Sequence, residues 1–369
     1  MVSKLTNQIE EGLEKRKQLE NPLGITYRDF RFSYSLDYLG KVFNLLSELC
    51  SLQNSFDEMD SFAKKCFLRE NAIDELELIF REHFIPLKRE SVFASWVYEK
   101  EDSNAYFIEA YKQLLEGKRK APRNVQELNR VYEEVVFKRN VAFHRKNIKR
   151  FHLFRTDALS LNETTNFLPD YLGSSSEAEI IQEISFTLQL LDSSFDVFTK
   201  MSLVFFFFLY SMPYYNENFF LCKYVLSTYL FEKNYSLLAL TLGQLIERNK
   251  QELETRLSKI LKEGHGDLSD FVSFCADFFH DGISSLSFEL AKKKYTCLKN
   301  SQPKDKNDEK LKYCLSLGSI FTSYGLNIFE IEEETKISIP TINRYLKKMR
   351  EEGCLNQKRI GKRDFFSLK

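Results

Sequence analysis

The chain is short of the two residues that interrupt helices, with 13 glycines and 7 prolines in 369 residues. Proline costs about 3 kcal/mol in a helix interior and glycine about 1 kcal/mol, so long stretches are left free to be helical. Net charge is absent as well, because 53 basic residues balance 53 acidic ones. That excludes a protein that coats nucleic acid or an anionic membrane with its whole surface. No apolar run reaches the ~20 residues a bilayer crossing needs; the longest, Met201 to Met212, is expected as a buried helix. The opening MVSKLTNQIEEGLEKRK lacks the apolar stretch of a secretory signal, so a cytoplasmic chain with no membrane contact is expected. Seven cysteines stand singly without a CxxC pair, and five histidines form neither HExxH nor HxH. That spacing supports no disulfide framework and no metal site, and free buried thiols are expected.

Apolar residues recur at helical spacing, as in Tyr38, Val42, Leu45 and Leu46, or Leu128, Val131, Tyr132 and Val135. The fold class is therefore mainly α. Met201 to Tyr210, MSLVFFFFLY, is apolar on nearly every face and should be a central helix, with Phe205 to Phe208 serving as core packing. Breaks fall at Gly117 to Arg123, Leu168 to Ser176 and Asn300 to Glu309, the last polar, proline-containing and free of apolar residues. They suggest an N-terminal helical region over 1–100, a central helical domain over 101–299, a linker over 300–310 and a C-terminal domain over 311–369. Lys138, Arg139, Arg145, Lys146, Lys149 and Arg150 read as a solvated helix face. Trp96, the single tryptophan, sits in no motif.

The neutral whole conceals a basic end: Lys336 to Lys369 hold ten basic and three acidic residues. Asn327 to Thr335 reads as a short helix with Asn327 as N-cap and acids in the early turns. A tight turn over Lys336 to Ser338 leads to a second helix that tolerates Pro340 in its first turn. Its apolar residues Ile339, Ile342, Tyr345, Leu346 and Met349 should face inward, leaving Thr341, Asn343, Arg344, Lys347 and Lys348 outside. Gly353 ends that helix, and Cys354 to Ile360 and Arg363 to Leu368 form two strands around Gly361 and Lys362. Together these elements resemble a winged helix-turn-helix, which implies a second helix laid in the DNA major groove. On that resemblance Asn343 and Arg344 reach base edges, while Lys347, Lys348, Lys358, Arg359, Lys362 and Arg363 contact phosphates.

The segment Phe195 to Leu230 places an apolar helix, a short loop with Pro and Asn, and a second apolar helix in succession. It resembles the core of the Fic (Fido) family, whose loop reads HPFx(D/E)GNGRxxR. Met212 to Lys223, MPYYNENFFLCK, keeps Pro213, aromatic Tyr214 and Asn218. Other stretches match in the same order. Phe154 and Arg155 fit the family's GxFR segment, with His152 where glycine is usual, and Asn166 to Leu172 (NFLPDYL) stands where the family has its substrate flap, expected as a small β-hairpin. Asn104 to Leu115 and Asn124 to Val136 resemble the two helices before it, and Leu242 to Ile283 the helices after the motif. The resemblance spans about residues 60–369 and implies a Fic-like helical bundle.

The resemblance also implies adenylyl transfer (AMPylation) from ATP with Mg²⁺, and the chemistry of each position can be checked. Met212 holds the base position with a thioether that takes up no proton, and losing a general base removes about 10² to 10⁴ in rate. Asn216 replaces the Mg²⁺ carboxylate, and Glu217 and Phe219 occupy the two glycine positions. Phe220 replaces the first arginine, and Lys223 replaces the second without bidentate geometry. Any retained nucleotide contact would fall to Asn216, Asn218 and Lys223. The expectation is a pseudoenzyme with no catalytic residue and no cofactor, acting as a DNA-binding regulator through the C-terminal domain or as a scaffold for a protein partner or a second copy, the alternative for the basic end being a solvated face on a dimerisation or docking module. The rival is a live transferase that recruits His144 or His152 as its base. Glu70 to Glu75 is a weak match to the family's inhibitory (S/T)xxxE(G/N) helix, with Asp74 at the glutamate position.

Overall fold

The computed structural model describes residues 25–27, 30–82, 88–98, 105–136, 152–157, 159, 173–174, 176–263, 266–298 and 306–369. Among them fourteen helices and five short strands follow one another. A hairpin of β1 (Ile25–Tyr27) and β2 (Phe30–Phe32) leads into α1 (Leu36–Asp57), α2 (Ser61–Glu82), α3 (Arg89–Tyr98), α4 (Ala105–Leu115) and α5 (Val125–Val135). Next come α6 (Glu177–Leu190), α7 (Val197–Ser211), α8 (Asn218–Glu232), α9 (Ser236–Arg248), α10 (Lys250–Glu263) and the long α11 (Ser269–Leu298). The C-terminal part holds α12 (Asn307–Phe321), β3 (Leu326–Asn327), α13 (Ile328–Thr335), α14 (Ile339–Glu351), β4 (Leu355–Ile360) and β5 (Arg363–Leu368).

The expected central helix is α7. Every residue from Val197 to Ser211 is buried except the half-buried Tyr210, because neighbours cover all its faces, with α6, α8 and α11 packing directly on it. Asp196 caps its start, accepting from the amides of Phe198 and Thr199 at 2.9 and 3.0 Å. The same carboxylate accepts from the Tyr34 hydroxyl at 2.7 Å, which ties the chain before α1 to the central helix. The phenylalanine run packs edge to face with the hairpin, Phe206 against Phe30 at 5.0 Å and Phe207 against Tyr27 at 5.7 Å, and with α6 through Phe207 against Phe186 at 5.1 Å. Such pairs add about 0.5–1.5 kcal/mol beyond the area they bury.

The strands and the linker differ from the expectation in two places. The β1–β2 hairpin at the N-terminal end was not anticipated, since strands of three residues are too short to show alternation. It is held by Arg31, whose amide donates to the Gly266 carbonyl at 2.7 Å and whose carbonyl accepts from Leu268 at 2.8 Å. The flap expected at Asn166 to Leu172 lies outside the described residues, as do His144 and the basic stretch from Lys138 to Arg150. The linker expected over 300–310 is cut short, because α12 begins at Asn307 with Asp308 and Glu309 in its first turn, where the dipole favours them.

In the C-terminal part the helix and strand boundaries fall where the sequence placed them. Asn327 caps α13 in a full capping box with Glu330. Lys336 takes a left-handed turn at φ 59°, and α14 follows with Ile342, Leu346 and Met349 buried. β4 and β5 pair antiparallel, with Ile360 opposite Arg363. β3, two residues long, adds a third strand beside β5, so the sheet order is β3-β5-β4. Four thiols, of Cys66, Cys222, Cys275 and Cys314, are buried, while Cys50 and Cys354 are exposed. Among the described residues no helix is long and apolar enough to cross a membrane.

Since α7 has no solvent face, truncating its centre leaves a cavity that cannot collapse. Phe207→Ala should cost about 3–5 kcal/mol, read as a lower urea midpoint at unchanged slope.

Candidate functional site

The loop between α7 and α8 is built from two left-handed residues. Met212 ends α7 at φ 41°, with its amide bonded to the Phe208 carbonyl at 3.0 Å, and Glu217 opens α8 at φ 60° with no side-chain cap. Glu217, expected from the sequence at a glycine position, takes the conformation that glycine suits, although glutamate costs about 1–2 kcal/mol there. Phe219, at the second glycine position, lies inside α8 and carries no such strain.

Arg155 fixes the loop from beneath. Fully buried, it donates Nε to the Met212 carbonyl at 2.7 Å, Nη2 to Ser211 at 3.0 Å and Nη1 to Asp157 at 2.6 Å. Two of those carbonyls close the C-terminus of α7, the end of a helix where a cation is favoured. Gly173, at φ 69°, comes so close that a Cβ would meet Arg155 Nη2 at 2.6 Å and the Met212 Cβ at 2.9 Å. Phe154 meets Tyr214 edge to face at 5.4 Å. Phe154 and Arg155 thus lie against the α7–α8 loop.

Each polar side chain proposed for nucleotide contact is engaged within the protein. Asn218 accepts from the Tyr214 amide at 2.9 Å and donates to the Tyr214 carbonyl at 2.7 Å, stapling the loop closed. Asn216 accepts from the Tyr132 hydroxyl at 2.8 Å. Lys223 is 1% exposed, with its ammonium 4.8 Å from the Phe219 ring centre. Tyr132 lies flat on Tyr214, ring centres 3.6 Å apart. Burial pushes both phenols well above their ordinary range, so neither ionises at neutral pH. Nothing in the sequence pattern singled out Tyr132 as a partner of the loop, since the two are 82 residues apart.

His152 does not turn toward the loop. Its Nδ1 bonds Glu177 at the start of α6, and the other oxygen of that carboxylate accepts from the amides of Leu153 and Phe154 at 2.7 and 3.1 Å. Burial works against the charge on Glu177, but the His152 bond and the two amides outweigh it and hold its pKa below 4.5. Asp74 and Glu70, the inhibitory-helix candidates, both bind Arg89 on α3, with Glu70 at 2.7 Å.

The second candidate surface is the basic end. Asn343, Arg344, Lys347 and Lys348 are exposed on α14, while Thr341 is half-buried with its hydroxyl 3.1 Å from that of Ser338. Arg359 and Lys362 are exposed on the hairpin. Lys358 and Arg363 instead contact the N-terminal helices. Lys358 pairs with Glu90 at 3.0 Å, and the Arg363 guanidinium lies over the rings of Tyr98 at 5.2 Å and Phe329 at 5.0 Å. The Tyr98 hydroxyl donates to the Ile360 carbonyl and accepts from the Arg363 amide at 2.6 Å. Gly361 makes room for that ring, since a Cβ there would sit 2.8 Å from Tyr98 Cε2. Phe93 adds edge contacts to Phe365 at 5.1 Å. Tyr98 and Glu90 escaped the sequence reading because a packing contact 262 residues away leaves no local pattern.

Glu177→Gln removes a charged acceptor of two amides and should cost about 1–2 kcal/mol near neutral pH. A carboxyl held low adds stability above its ordinary value of 4.5 and loses it as pH falls through the lower folded value. The gap between variant and parent in urea melts should therefore narrow below pH 4.5.

No family model and no curated protein matches this chain in sequence. In three dimensions it is similar to the crystal structure of a Fic family protein from Desulfovibrio desulfuricans G20, with a TM-score of 0.53 and 13% identity over 91% of this chain and 97% of that one. The fold of this chain is therefore mainly helical and Fic-like.

Proposed function

We propose that this chain is a Fic-fold pseudoenzyme whose C-terminal part is a winged helix that binds duplex DNA, with the helical body serving as a protein-binding or dimerisation scaffold. The observation that carries the first half is the buried Met212 at the base position, with Asn218 spent on its own loop. ATP with Mg²⁺ does not fit this loop. Asn216 offers a neutral oxygen already bonded to Tyr132, Lys223 lies under Phe219, and Glu217 sets a negative charge at the start of α8 where phosphates would need a positive one.

Support for the second half comes from α14, which buries Ile342, Leu346 and Met349 and turns Asn343, Arg344, Lys347 and Lys348 outward. Those are residue types that read guanine and adenine edges and bind phosphate. The hairpin is docked on α3, so Lys358 and Arg363 reach phosphates only after Tyr98 and Glu90 release them. A scaffold acting without DNA would instead co-purify with its partner and shift no DNA in a gel.

Two measurements test these halves separately. A ligand at 100 times its Kd adds about 2.7 kcal/mol to the folded state, so millimolar ATP with Mg²⁺ should leave the melting temperature unmoved and labelled ATP should mark no protein. A labelled product that vanishes in His152 or Lys223 variants would overturn the pseudoenzyme reading. For DNA, four exposed cations (Lys347, Lys348, Arg359 and Lys362) predict log K falling with log salt at a slope of about −4. Tyr98→Ala combined with Glu90→Gln should steepen it to about −5 by freeing Arg363 and Lys358, and Arg344→Ala should lower sequence preference with little change of slope; salt-independent binding would refute the reading.

A further inference from the structure

A cavity of about 470 Å³ opens where the C-terminal part meets the N-terminal helices, walled by α2, α3 and α4 on one side and by α13 and β5 on the other. Its volume falls in the range of small-molecule sites. Phe62, Val97 and Leu115 give it an apolar lining, and Trp96 supplies an aromatic wall with the Lys112 ammonium 5.9 Å from its ring centre.

Arg69 is the feature that asks for a ligand. Its side chain lines the cavity and is 11% exposed, with Nη1 bonded to Glu330 and the guanidinium 5.5 Å above Phe93. Nε and Nη2 are buried with no hydrogen-bond partner among the described residues. Those two donors form one edge of the guanidinium, the fork that takes both oxygens of a carboxylate or two of a phosphate. Buried donors are nearly always paired; because both nitrogens are covered, an acceptor in the cavity would engage them as the Arg69 side chain turns toward it.

The acids around the cavity do not cancel that demand. Glu330 is spent on Arg69 itself, Glu333 pairs with Lys65 at 3.0 Å, and Glu116 pairs with Lys118 at 2.6 Å. Glu334 is exposed, so solvent screens its charge.

We propose that this cavity binds a small aromatic oxyanion, its carboxylate or phosphate on the Arg69 fork and its ring against Trp96. Because the two walls come from distant parts of the chain, the bound molecule would hold the C-terminal part against the N-terminal helices. The site is separate from the α7–α8 loop, but Arg363, which lines it, ties it to the docked hairpin.

Trp96 is the single tryptophan, so its fluorescence reports the cavity directly. The full chain is titrated with benzoate, phenyl phosphate, inorganic phosphate and the neutral isostere benzamide. Benzoate or phenyl phosphate should give a saturable change at millimolar concentration or below, and benzamide should bind at least tenfold more weakly. The tighter of the two anions assigns the source as carboxylate or phosphate, and competition by inorganic phosphate supports an oxyanion fork. Arg69→Lys keeps the charge, loses the fork, and should weaken binding at least tenfold. If that variant does not fold, Lys112→Met decides, with a weakening of several-fold. No saturable change in the parent, benzamide binding as well as benzoate, or unchanged affinity in a folded variant would overturn the proposal.

Discussion

Helix α7 has no face left for water, and the rest of the body is arranged around that constraint. A helix of fifteen residues, fourteen of them buried, has to be covered on every side, and α6, α8, α11 and the β1–β2 hairpin do so. Its ends then become the costly places, because the last carbonyls of a buried helix lack both intrahelical partners and solvent. Arg155 meets that need at the C-terminus by donating to Ser211 and Met212. Asp196 meets it at the N-terminus and recruits Tyr34 in doing so. The position of the α7–α8 loop is a consequence of how this helix is capped.

The loop keeps a shape while its polar groups face inward. Met212 and Glu217 hold the two left-handed turns, and Asn218 closes the backbone between them. Tyr132 covers the loop through its stack on Tyr214 and its bond to Asn216. A loop whose donors are consumed by its own carbonyls is rigid, and it has little left to offer an incoming anion. That distinction between a retained fold and a retained site separates what the structural likeness shows from what it leaves to experiment.

At the other end of the chain, one basic segment is divided between two uses. The outward face of α14 is exposed, whereas Lys358 and Arg363 sit against Glu90, Tyr98 and Phe329. Charge pairs such as Lys358 with Glu90 are half exposed and contribute little on their own. The contact gains its specificity from the Tyr98 ring lying on Gly361, a fit that any side chain would spoil. The cavity beneath Trp96 belongs to the same junction, so the docking of the hairpin and the shape of the cavity are linked.

Helix positions were legible wherever apolar spacing ran for several turns, as in α7 and α14, and the capping role of Asn327 was legible from its place before an acidic turn. The order of motifs around Pro213 sufficed to expect the Fic-like fold, and the identities of Met212, Asn216 and Lys223 were chemistry that no folding could alter. Which side chains meet was a different matter. Tyr132 on Tyr214, Glu177 on His152, Tyr98 on Gly361 and Arg69 on Phe93 join residues 24 to 263 apart. Local periodicity carries information about one face of one helix; the partner of that face is set by global packing, which only the tertiary structure decides.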